Sequence, residues 1–565
     1  MEMTGARILL ECLKEQSVDT IFGYPGGTIL NVYDEMYKMG EFRHILTAHE
    51  QGACHAADGY ARATGQVGVC FATSGPGATN LVTGIATAYL DSSPIVCITC
   101  NVSTGLIGKD SFQEVDITGV TMPITKCNYL IRDITHLADT VREAFAIARS
   151  GRPGPVLIDI AKDVTASVCD YEPLDRQAHA ESGRLHGLMA RWEFKPPEPD
   201  MEDISKLAEM LRESKKPMII CGGGVVRSRA HEVFRTFAHL IDAPVALTVM
   251  GAGAIPGRDP LVTGMIGMHG SQASNIAVDE CDLLLAIGCR FSDRVALKPD
   301  TFARNAQIVQ IDIDRSEINK NVQTHHHIIG DARRVLNLVL PMLSQMDHSA
   351  WKKEVFSHPT ETLYDPRPGY LTPGSILSTI AMLAPMDTLV STDVGQHQMW
   401  AIQHFHFDFP GQLLTSGGFG TMGFGLGAAI GAKAAYPERK VIHITGDGSF
   451  RMNCNELATE QYYKLPVITI LFNNGTLGMV RQWQSLIYGE RYSQTTLDRA
   501  PDFVALAEAY HLKGYRVRST EEFKKAFSEA LNLECGCVID CNIDIDEMVR
   551  PMVGGGSHIT DFMIN

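Results

Sequence analysis

Short apolar runs that each end in a glycine-rich or acidic turn recur along the chain, and they constrain its fold more than any other feature. In the last third, Val441–Thr445 predicts a strand, about Asn453–Tyr463 a helix, and Val467–Phe472 a second strand. Gly446-Asp447-Gly448 is the predicted turn after the first strand. Continuous apolar strands joined through a helix are typical of parallel sheets that are covered on both faces. We therefore predict a βαβ unit in this region.

The same plan recurs in the other two thirds of the chain. In the first third, "VGVCFATSGPGATN", a helix and "PIVCIT" repeat it, which indicates a coarse internal duplication. The middle third contains "KPMIICGGGVVRS", "CDLLLAIGCRFSDRV" and "AQIVQIDIDRSEINKN", each an apolar strand that ends at Gly or Asp. Open parallel sheets bind ligands at the carboxyl ends of their strands. The sequence thus predicts an α/β protein with three doubly wound parallel-sheet domains.

Two stretches separate these thirds. A chain of 565 residues is too long for a single hydrophobic core. Hydrophobic periodicity gives way to Pro and charge at roughly Asp170–Asp200 and Met346–Gly374. The predicted domains are residues 1–175, 198–342 and 370–548, followed by a C-terminal tail at 549–565.

Charge and hydropathy exclude several classes of partner. The chain has 49 basic and 65 acidic residues and a net charge of −16, without a basic stripe, so we expect no nucleic-acid partner. No apolar run approaches the ~18 residues of a membrane span. The N-terminus reads as an amphipathic helix with acidic residues rather than as a signal peptide. We therefore expect a soluble, cytoplasmic protein with no membrane partner.

The 14 cysteines are expected to be reduced and buried, because a large core does not need disulfides. Cys97 and Cys100 form a CxxC pattern. Residues three apart on a strand point to opposite faces of the sheet, so we expect neither a metal nor a redox role for this pair.

Asp447 has two interpretations. A carboxylate that follows a strand and precedes a helix is either a helix cap or a ligand for a cation. Asn474 ends the next predicted strand, so both side chains would meet at one edge of the sheet. Hard oxygen ligands of this kind suit Mg²⁺, whose coordination is completed by substrate phosphates. The combination favours a magnesium site that holds an anionic ligand.

The GDG turn and the later Asn pair resemble the diphosphate-binding and metal-binding motif of the thiamine-diphosphate enzymes. The resemblance implies that Asp447, the Asn474 side chain and the Thr476 carbonyl bind Mg²⁺. Glu50, in "HEQGACHAADGYARATG", would then face N1′ of the aminopyrimidine. Taken alone, Glu50 would be read as a solvated or salt-bridged residue. In this family the cofactor bridges two domains across a dimer interface, so the active sites would lie between subunits.

Over nearly the whole chain the sequence is similar to the catalytic large subunits of biosynthetic acetolactate synthases, also called acetohydroxyacid synthases. "FGYPGGTILNVYD", "DSFQEVDITGVTMPITK" and "GTLGMVRQWQ" are among the segments that carry the similarity. It implies a transferase that decarboxylates pyruvate and condenses the product with a second pyruvate or 2-oxobutanoate, the first common step of valine, leucine and isoleucine biosynthesis. It also implies a homodimer or tetramer and a small regulatory subunit.

The resemblance assigns roles to individual residues. Those expected to act in catalysis or to contact substrate, besides Glu50, are Gln113, Lys162, Arg294 and Trp483. Those expected around thiamine diphosphate, besides the metal ligands, are Gln396, His397, Gly420, Met422, Gly448, Ser449, Gly478 and Met479. Those expected to bind FAD, which this family carries without using it for redox chemistry, are Arg152, Gly223, Met268, His269, Arg290, Asp312 and Asp331.

Three other functions stay open at this point. One is another thiamine-diphosphate carboligase or a flavin-using pyruvate oxidase. A second is a nicotinamide dehydrogenase, although "GFGLGAAIG" has the wrong spacing for a dinucleotide fingerprint. A third is a cofactor-binding scaffold without turnover, against which the presence of Glu50 argues. Ser292 stands where the family usually has Asp, which leaves FAD retention open.

Overall fold

A computed structural model describes residues 1–174, 196–360, 370–499 and 501–563. Three parallel sheets of six strands each form the body of the described part. Two short antiparallel ribbons pair Glu2–Thr4 with Val168–Asp170 and Met552–Val553 with Phe562–Met563. The three predicted α/β units are therefore present, and each has the parallel sheet expected of a doubly wound fold.

The first sheet has the strand order β3-β2-β4-β5-β7-β6. The strands of this part of the chain are β1 Glu2–Thr4, β2 Thr20–Gly23, β3 Arg43–Leu46, β4 Gly68–Ala72, β5 Ile95–Asn101, β6 Cys127–Ile131, β7 Val156–Ala161 and β8 Val168–Asp170. Its helices are Gly5–Glu15, Leu30–Met39, Glu50–Thr64, Pro76–Thr79, Val82–Leu90, Ile117–Thr121, Leu137–Arg149 and Lys162–Ala166.

The middle sheet has the strand order β11-β10-β9-β12-β13-β14. Its strands are β9 Pro217–Cys221, β10 Val245–Leu247, β11 Val262–Met265, β12 Leu283–Ile287, β13 Gln307–Asp312 and β14 His326–Ile329. Its helices are Met201–Glu213, Gly223–Arg227, His231–Leu240, Gln272–Glu280, Ala332–Val339 and Ser349–Val355. Counted from β9, this order is that of the dinucleotide-binding Rossmann fold, whose ligand crevice lies between the first and fourth strands.

The third sheet has the strand order β16-β15-β17-β18-β20-β19. Strand for strand, this order repeats that of the first sheet, as the internal duplication predicts. Its strands, with those of the terminal ribbon, are β15 Leu389–Thr392, β16 Leu413–Thr415, β17 Val441–Gly446, β18 Ile468–Asn473, β19 Lys513–Val517, β20 Cys537–Asn542, β21 Met552–Val553 and β22 Phe562–Met563. Its helices are Pro373–Leu383, Gln396–His404, Phe424–Ala435, Asp447–Asn453, Leu457–Tyr462, Gly478–Leu486, Phe503–Ala509 and Thr520–Ala530.

Single 3₁₀ turns connect several of these elements. They lie at Thr104–Leu106, Met122–Ile124, Ile134–His136, Val249–Gly251, Pro299–Thr301, Arg315–Glu317, Leu340–Met342 and Cys454–Glu456.

One hydrophobic core joins the first and third sheets. It contains Cys70 and Leu157 from the first sheet, and Leu471 and Val538 from the third. The helices Glu50–Thr64 and Phe424–Ala435 pack against each other inside it. Small residues allow the contact, because a Cβ at Gly431 would lie 1.9 Å from the backbone oxygen of Ala56. The first and third units thus share a core.

Two predicted boundaries differ from the structure. The predicted turn at Asp447 is already the first turn of the helix Asp447–Asn453, so the helix begins six residues earlier than the apolar periodicity indicated. The predicted linker Met346–Gly374 contains the helix Ser349–Val355, whose Trp351 is buried and donates a hydrogen bond to Pro217 O at 3.0 Å. The sequence analysis did not predict this short helix, because its exposed charged residues are also typical of a linker. Residues 175–195 and 361–369 of the two predicted linkers lie outside the described residues.

The prediction that the cysteines are reduced is confirmed for the described residues. All 14 cysteines are free thiols, most of them buried. Cys97 and Cys100 belong to hydrophobic clusters on opposite faces of the first sheet. Cys97 instead lies against Cys54 and Cys70, with 3.3 Å between the sulfur atoms of Cys70 and Cys97. In the described part of the chain, no helix combines the length and apolarity needed to cross a bilayer.

We predict that Gly431→Ala destabilises the protein, because the added methyl group would collide with the backbone of the helix Glu50–Thr64. Overpacking of this kind lowers the melting temperature by roughly 2–12 °C. Differential scanning fluorimetry measures the change. Gly105→Ala is the matched control, since a Cβ at Gly105 meets no atom within 4 Å. Equal melting temperatures for the two variants would contradict the close contact.

Candidate active site

Asp447 and Asn474 lie at the carboxyl ends of two neighbouring strands. β17 and β18 are paired in parallel, Asp447 follows β17 directly, and Asn474 follows β18. Asp447 is the first helical residue rather than the capping residue, so the capping interpretation is wrong. Its side chain is 1% exposed, and its Oδ2 atom has no hydrogen-bond partner among the described residues. The geometry leaves a buried carboxylate oxygen free to accept a ligand.

The surroundings of Asp447 fit a divalent cation. Burial raises the pKa of Asp447 to about 7, which reflects how little the protein itself compensates the carboxylate. Among the described residues, Asn474 Oδ1 accepts only a long hydrogen bond of 3.3 Å from the backbone N–H of Thr476, and Thr476 is 2% exposed. Carboxylate, amide and carbonyl oxygens are hard ligands of the kind that Mg²⁺ prefers. These three residues can therefore hold a magnesium ion.

Gln396 and His397 border the same site at the start of the helix Gln396–His404. Gln396 accepts a hydrogen bond of 3.3 Å from Asn474 and donates to Gln482 at 2.9 Å. Burial lowers the pKa of His397 to about 4, so its imidazole is neutral. His397 Nε2 has no partner among the described residues, and Ser449 Oγ bonds Val394 O at 3.2 Å. Unpaired polar atoms converge beside Asp447.

Glycines allow the side chains of this site to approach one another closely. A Cβ at Gly478 would lie 2.0 Å from Gln396 Oε1 and 2.7 Å from Asn474 Nδ2. A Cβ at Gly448 would meet Leu477 at 2.6 Å and Met422 at 3.8 Å. Gly478 and Gly448 therefore leave no room for a side chain between the polar residues and the half-buried Met422.

Asp393 also orders this site, although the sequence analysis assigned it no role. Its carboxylate accepts hydrogen bonds of 2.6 Å from Gly425 N and from Thr445 Oγ1, and His443 Nε2 lies 3.4 Å away. Burial alone would raise the pKa of Asp393, but the nearby His443 imidazole and the hydrogen bonds from Thr445 and Gly425 lower it below its usual value. Asp393 thus ties β17 and the helix Phe424–Ala435 to the turn before Gln396. Asp393 in "STDVGQH" follows β15 directly, as Asp447 follows β17, and this acidic residue shortly before a glycine was the available signal.

Glu50 lies at the carboxyl end of the first sheet. It is the first residue of the helix Glu50–Thr64, is 9% exposed, and accepts a hydrogen bond of 2.9 Å from Asn80. A Cβ at Gly77 would lie 3.1 Å from its Oε1 atom. No hydrogen bond joins Glu50 to Asp447 within the ranges that the structure describes. One chain thus presents the two acidic residues in separate groups.

Gln113 and Lys162 belong to the same end of the first sheet as Glu50. Gln113 has a left-handed φ of 58°, and its carbonyl oxygen approaches the turn before Gly77, within 2.7 Å of a Cβ placed on Gly75. Lys162 is exposed and begins the helix Lys162–Ala166. Glu114 holds the loop of Gln113, since its carboxylate accepts a hydrogen bond of 2.9 Å from Ser111 N and another from Gly108 N.

A cavity of about 760 Å³ opens at the crevice between β9 and β12. This is where the strand order of the middle sheet places a dinucleotide. All of the residues predicted to bind FAD line it: Arg152, Gly223, Met268, His269, Arg290, Asp312 and Asp331. It also reaches four residues from the other predicted groups: Arg294, Gly420, Met479 and Trp483. The structure therefore brings together residues that the sequence spreads over most of the chain.

Several cavity residues have partners that define their roles. Burial raises the pKa of Asp312 to about 6, and its carboxylate, at the end of β13, accepts a hydrogen bond of 3.0 Å from Asp314 N. Asp331 caps the helix Ala332–Val339 by accepting from Arg334 N at 3.1 Å. Arg152 is paired with Glu317 at 2.7 Å. Burial lowers the pKa of His269 to about 4, so it is neutral.

Trp483 and Arg294, which are predicted to contact substrate, differ in how firmly the protein holds their side chains. Trp483 packs against the small cluster that contains Met268 and Met552. The Arg294 side chain is 66% exposed and pairs with Asp293 at 2.9 Å. Exposed pairs of this kind contribute about 0–1 kcal/mol, so the guanidinium can exchange Asp293 for a ligand carboxylate.

Comparison with known proteins adds independent information. Three family profiles match the chain: the N-terminal binding domain, central domain and C-terminal binding domain of thiamine pyrophosphate enzymes, at residues 3–120, 204–339 and 393–541. The chain is therefore a member of the thiamine pyrophosphate enzymes, in which that cofactor is also called thiamine diphosphate.

Full-length relatives narrow the family further. The chain is 46% identical to a probable acetolactate synthase large subunit from Methanocaldococcus jannaschii, covering 99% of this chain and 95% of that protein. It is 42% identical to the acetolactate synthase isozyme 2 large subunit from Escherichia coli, with 99% of each covered, and 44% identical to the acetolactate synthase large subunit from Cyanidium caldarium, with 98% and 95% covered. Within the thiamine pyrophosphate enzymes, the chain belongs to the acetolactate synthase large subunits.

We predict that Asp447→Asn stabilises the protein in metal-free buffer, because a neutral amide costs less to bury than a carboxylate with one partnerless oxygen. A gain of about 1–3 kcal/mol raises the melting temperature by roughly 2–12 °C. Added Mg²⁺ and thiamine diphosphate should stabilise the unaltered chain but not the variant. Asp498→Asn, at an exposed position of the same region, is the control. Its melting temperature should equal that of the unaltered chain both in metal-free buffer and with Mg²⁺ and thiamine diphosphate. A variant that still responds to Mg²⁺ would contradict the site.

Proposed function

We propose that the protein is the catalytic subunit of an acetolactate synthase, a transferase that decarboxylates pyruvate and condenses the resulting two-carbon unit with a second pyruvate or 2-oxobutanoate. The observation that carries this proposal is the combination of full-length similarity to acetolactate synthase large subunits with a partnerless carboxylate oxygen at the expected cofactor turn. The product would enter the synthesis of branched-chain amino acids.

The chain's own residues support a division of labour around the cofactor. When bound, thiamine diphosphate supplies a cationic thiazolium ring that stabilises the negative charge left by decarboxylation. Asp447, Asn474 and the Thr476 carbonyl would hold Mg²⁺, which in turn would hold the diphosphate. Gln396, His397, Gly448, Ser449 and Gly478 would border the diphosphate, and Met422, Gly420 and Met479 would border the rings. Glu50 would hold a proton at N1′ of the aminopyrimidine.

A second group of residues would bind the second 2-oxoacid, which accepts the two-carbon unit. Arg294 would bind the carboxylate of the second 2-oxoacid through its guanidinium, which suits planar carboxylates. Trp483 would contact the extra methyl group of 2-oxobutanoate, a contribution of about 1–3 kcal/mol to selectivity. Gln113 and Lys162 would complete the channel from the first sheet. The position of Arg294 and Trp483 along one cavity supports this assignment.

The middle unit would bind FAD in the cavity of about 760 Å³. The Rossmann strand order and the seven predicted residues that line the cavity support this proposal. Because the cavity continues to Gly420 and Met479, a flavin-using pyruvate oxidase is the second candidate function. In the synthase the flavin would have a structural role.

Assembly and location complete the proposal. The domains would be residues 1–175, 198–342 and 370–548, with a tail at 549–565. Two or four chains would associate, with Glu50 of one chain and Asp447 of another at each cofactor. Exposed apolar side chains at the carboxyl ends of the first and third sheets, such as Phe112 and Met452, support such an interface. A small regulatory subunit is the other partner, as the "large subunit" names of the relatives suggest, and the cytoplasm is the expected compartment.

The product distribution tests the function. Purified protein is incubated with pyruvate, Mg²⁺, thiamine diphosphate and FAD, and acetolactate and hydrogen peroxide are measured. A second incubation, with NAD and without thiamine diphosphate, is assayed for reduced nicotinamide. We expect acetolactate as the main product, with neither of the other two. Hydrogen peroxide as the main product would favour the oxidase. Hydride transfer to NAD without thiamine diphosphate would favour a dehydrogenase, and no product with bound cofactor would favour a scaffold.

Glu50→Gln tests the proton role. Glutamine can still accept the hydrogen bond from Asn80, so the helix Glu50–Thr64 should remain in place. We predict that acetolactate formation falls by about 100-fold or more, the usual scale of general acid–base catalysis. Thiamine diphosphate affinity, measured by calorimetry, should change little. Glu202→Gln, in the first turn of the exposed helix Met201–Glu213, is the matched control. Unchanged activity in Glu50→Gln would remove Glu50 from the mechanism.

A further inference from the structure

Arg227 lines the large cavity and has unused hydrogen-bonding capacity. It is the last residue of the helix Gly223–Arg227, which follows β9 at the dinucleotide crevice. A guanidinium has five N–H donors. Within the described ranges, the Arg227 side chain makes one hydrogen bond, 3.3 Å to the backbone oxygen of Asp91, and no ion pair. A cation at a cavity wall with free donors is a site for an anionic ligand.

The carboxylates near Arg227 are already occupied. Both oxygens of Asp58 accept hydrogen bonds of 2.8 Å from Arg62. Asp91 accepts from Arg62 at 3.0 Å through one oxygen and from Gly418 N at 2.6 Å through the other. Burial, together with the like charge of Arg62, lowers the pKa of Arg227 to about 10, which leaves it protonated at neutral pH. The nearby acids thus balance its charge at a distance and leave its donors available.

A second guanidinium borders the same place. Arg290 lines the cavity, and its Nη2 atom is 3.2 Å from a Cβ placed on Gly418. Gly418 is the residue that binds Asp91, and Asp91 holds Arg227. Arg227 and Arg290 therefore border the contact between Asp91 and Gly418 from two different segments, and both line the cavity. A diphosphate, with several anionic oxygens, is the ligand chemistry that two guanidinium groups on one cavity wall can recognise.

We propose that Arg227 binds an anionic oxygen of the diphosphate of the nucleotide in this cavity, together with Arg290. The inference rests on the proposed binding of FAD and adds a residue that the similarity to the family did not point to. In a Rossmann sheet the turn after the first strand meets the pyrophosphate, and Arg227 lies one helical turn beyond Gly223 in that connection. Helical side chains lean towards the N-terminal end of their helix, which directs Arg227 back towards this turn.

The carboxylate of a 2-oxoacid substrate also has anionic oxygens. The test therefore distinguishes binding of the FAD diphosphate by Arg227 from binding of the substrate. Full-length Arg227→Gln, Arg227→Lys and the unaltered chain are depleted of flavin, and FAD binding is measured by flavin fluorescence at low and high salt. The KM for pyruvate is measured with saturating FAD. Arg229→Gln is the control, because Arg229 is exposed, two residues away, and bonds only Thr64 O, at 3.1 Å, among the described residues.

We expect FAD to bind Arg227→Gln about 10- to 100-fold more weakly, the scale of a lost charge-assisted hydrogen bond. The salt dependence of FAD binding should become shallower, which loss of packing alone would not cause. The FAD affinity of Arg227→Lys should lie between those of Arg227→Gln and the unaltered chain, and that of Arg229→Gln should equal that of the unaltered chain. Unchanged FAD binding by Arg227→Gln would overturn the inference, and so would a raised KM for pyruvate with unchanged FAD affinity. Failure of the unaltered chain to bind FAD would overturn both the FAD proposal and this inference.

Discussion

Parallel strands bring their carboxyl ends to one edge of a sheet, and this constraint determines where the candidate metal ligands and the large cavity lie. In the third sheet it places Asp447 beside Asn474. In the middle sheet it brings the turn after β9 next to the turn after β12, and the large cavity opens between them. Each turn leaves polar atoms without partners, because a strand end has no further ladder to satisfy them. The sites follow from the topology, and their chemistry follows from the residues at the strand ends.

A buried charge network fastens the three units around the cavity. Arg62 lies between Asp58 and Asp91 in the first unit and donates to Thr415 O at 2.7 Å in the third. Asp91 reaches Gly418 of the third unit and Arg227 of the middle unit. Removing one partner from such a network costs about 3–5 kcal/mol, because it leaves an uncompensated charge. The same contacts that hold the units together therefore fix the walls of the large cavity.

Much of this arrangement could be predicted from the sequence, because local patterns determine it. Apolar strands and their turns gave the three parallel sheets, and two strand ends gave the pairing of Asp447 with Asn474. The helix start at Asp447 was missed because glycine-rich segments read as turns even where tertiary contacts make them helical. Arg227 was missed because its meaning depends on Asp91 and Gly418, which lie far away in the sequence. Patterns within one segment could be predicted from the sequence, whereas contacts between distant segments could not.

The central claim is that one cofactor joins Glu50 of one chain to Asp447 of another. Mixing two inactive variants tests it directly: Glu50→Gln and Asp447→Asn are denatured together at equal concentrations, refolded and assayed for acetolactate. If the site forms between chains, half of the dimers are mixed and each has one intact site, so about a quarter of the unaltered activity returns. If each chain builds its own site, no mixed dimer is complete. The account predicts recovery, and a refolded mixture as inactive as either variant alone would contradict it.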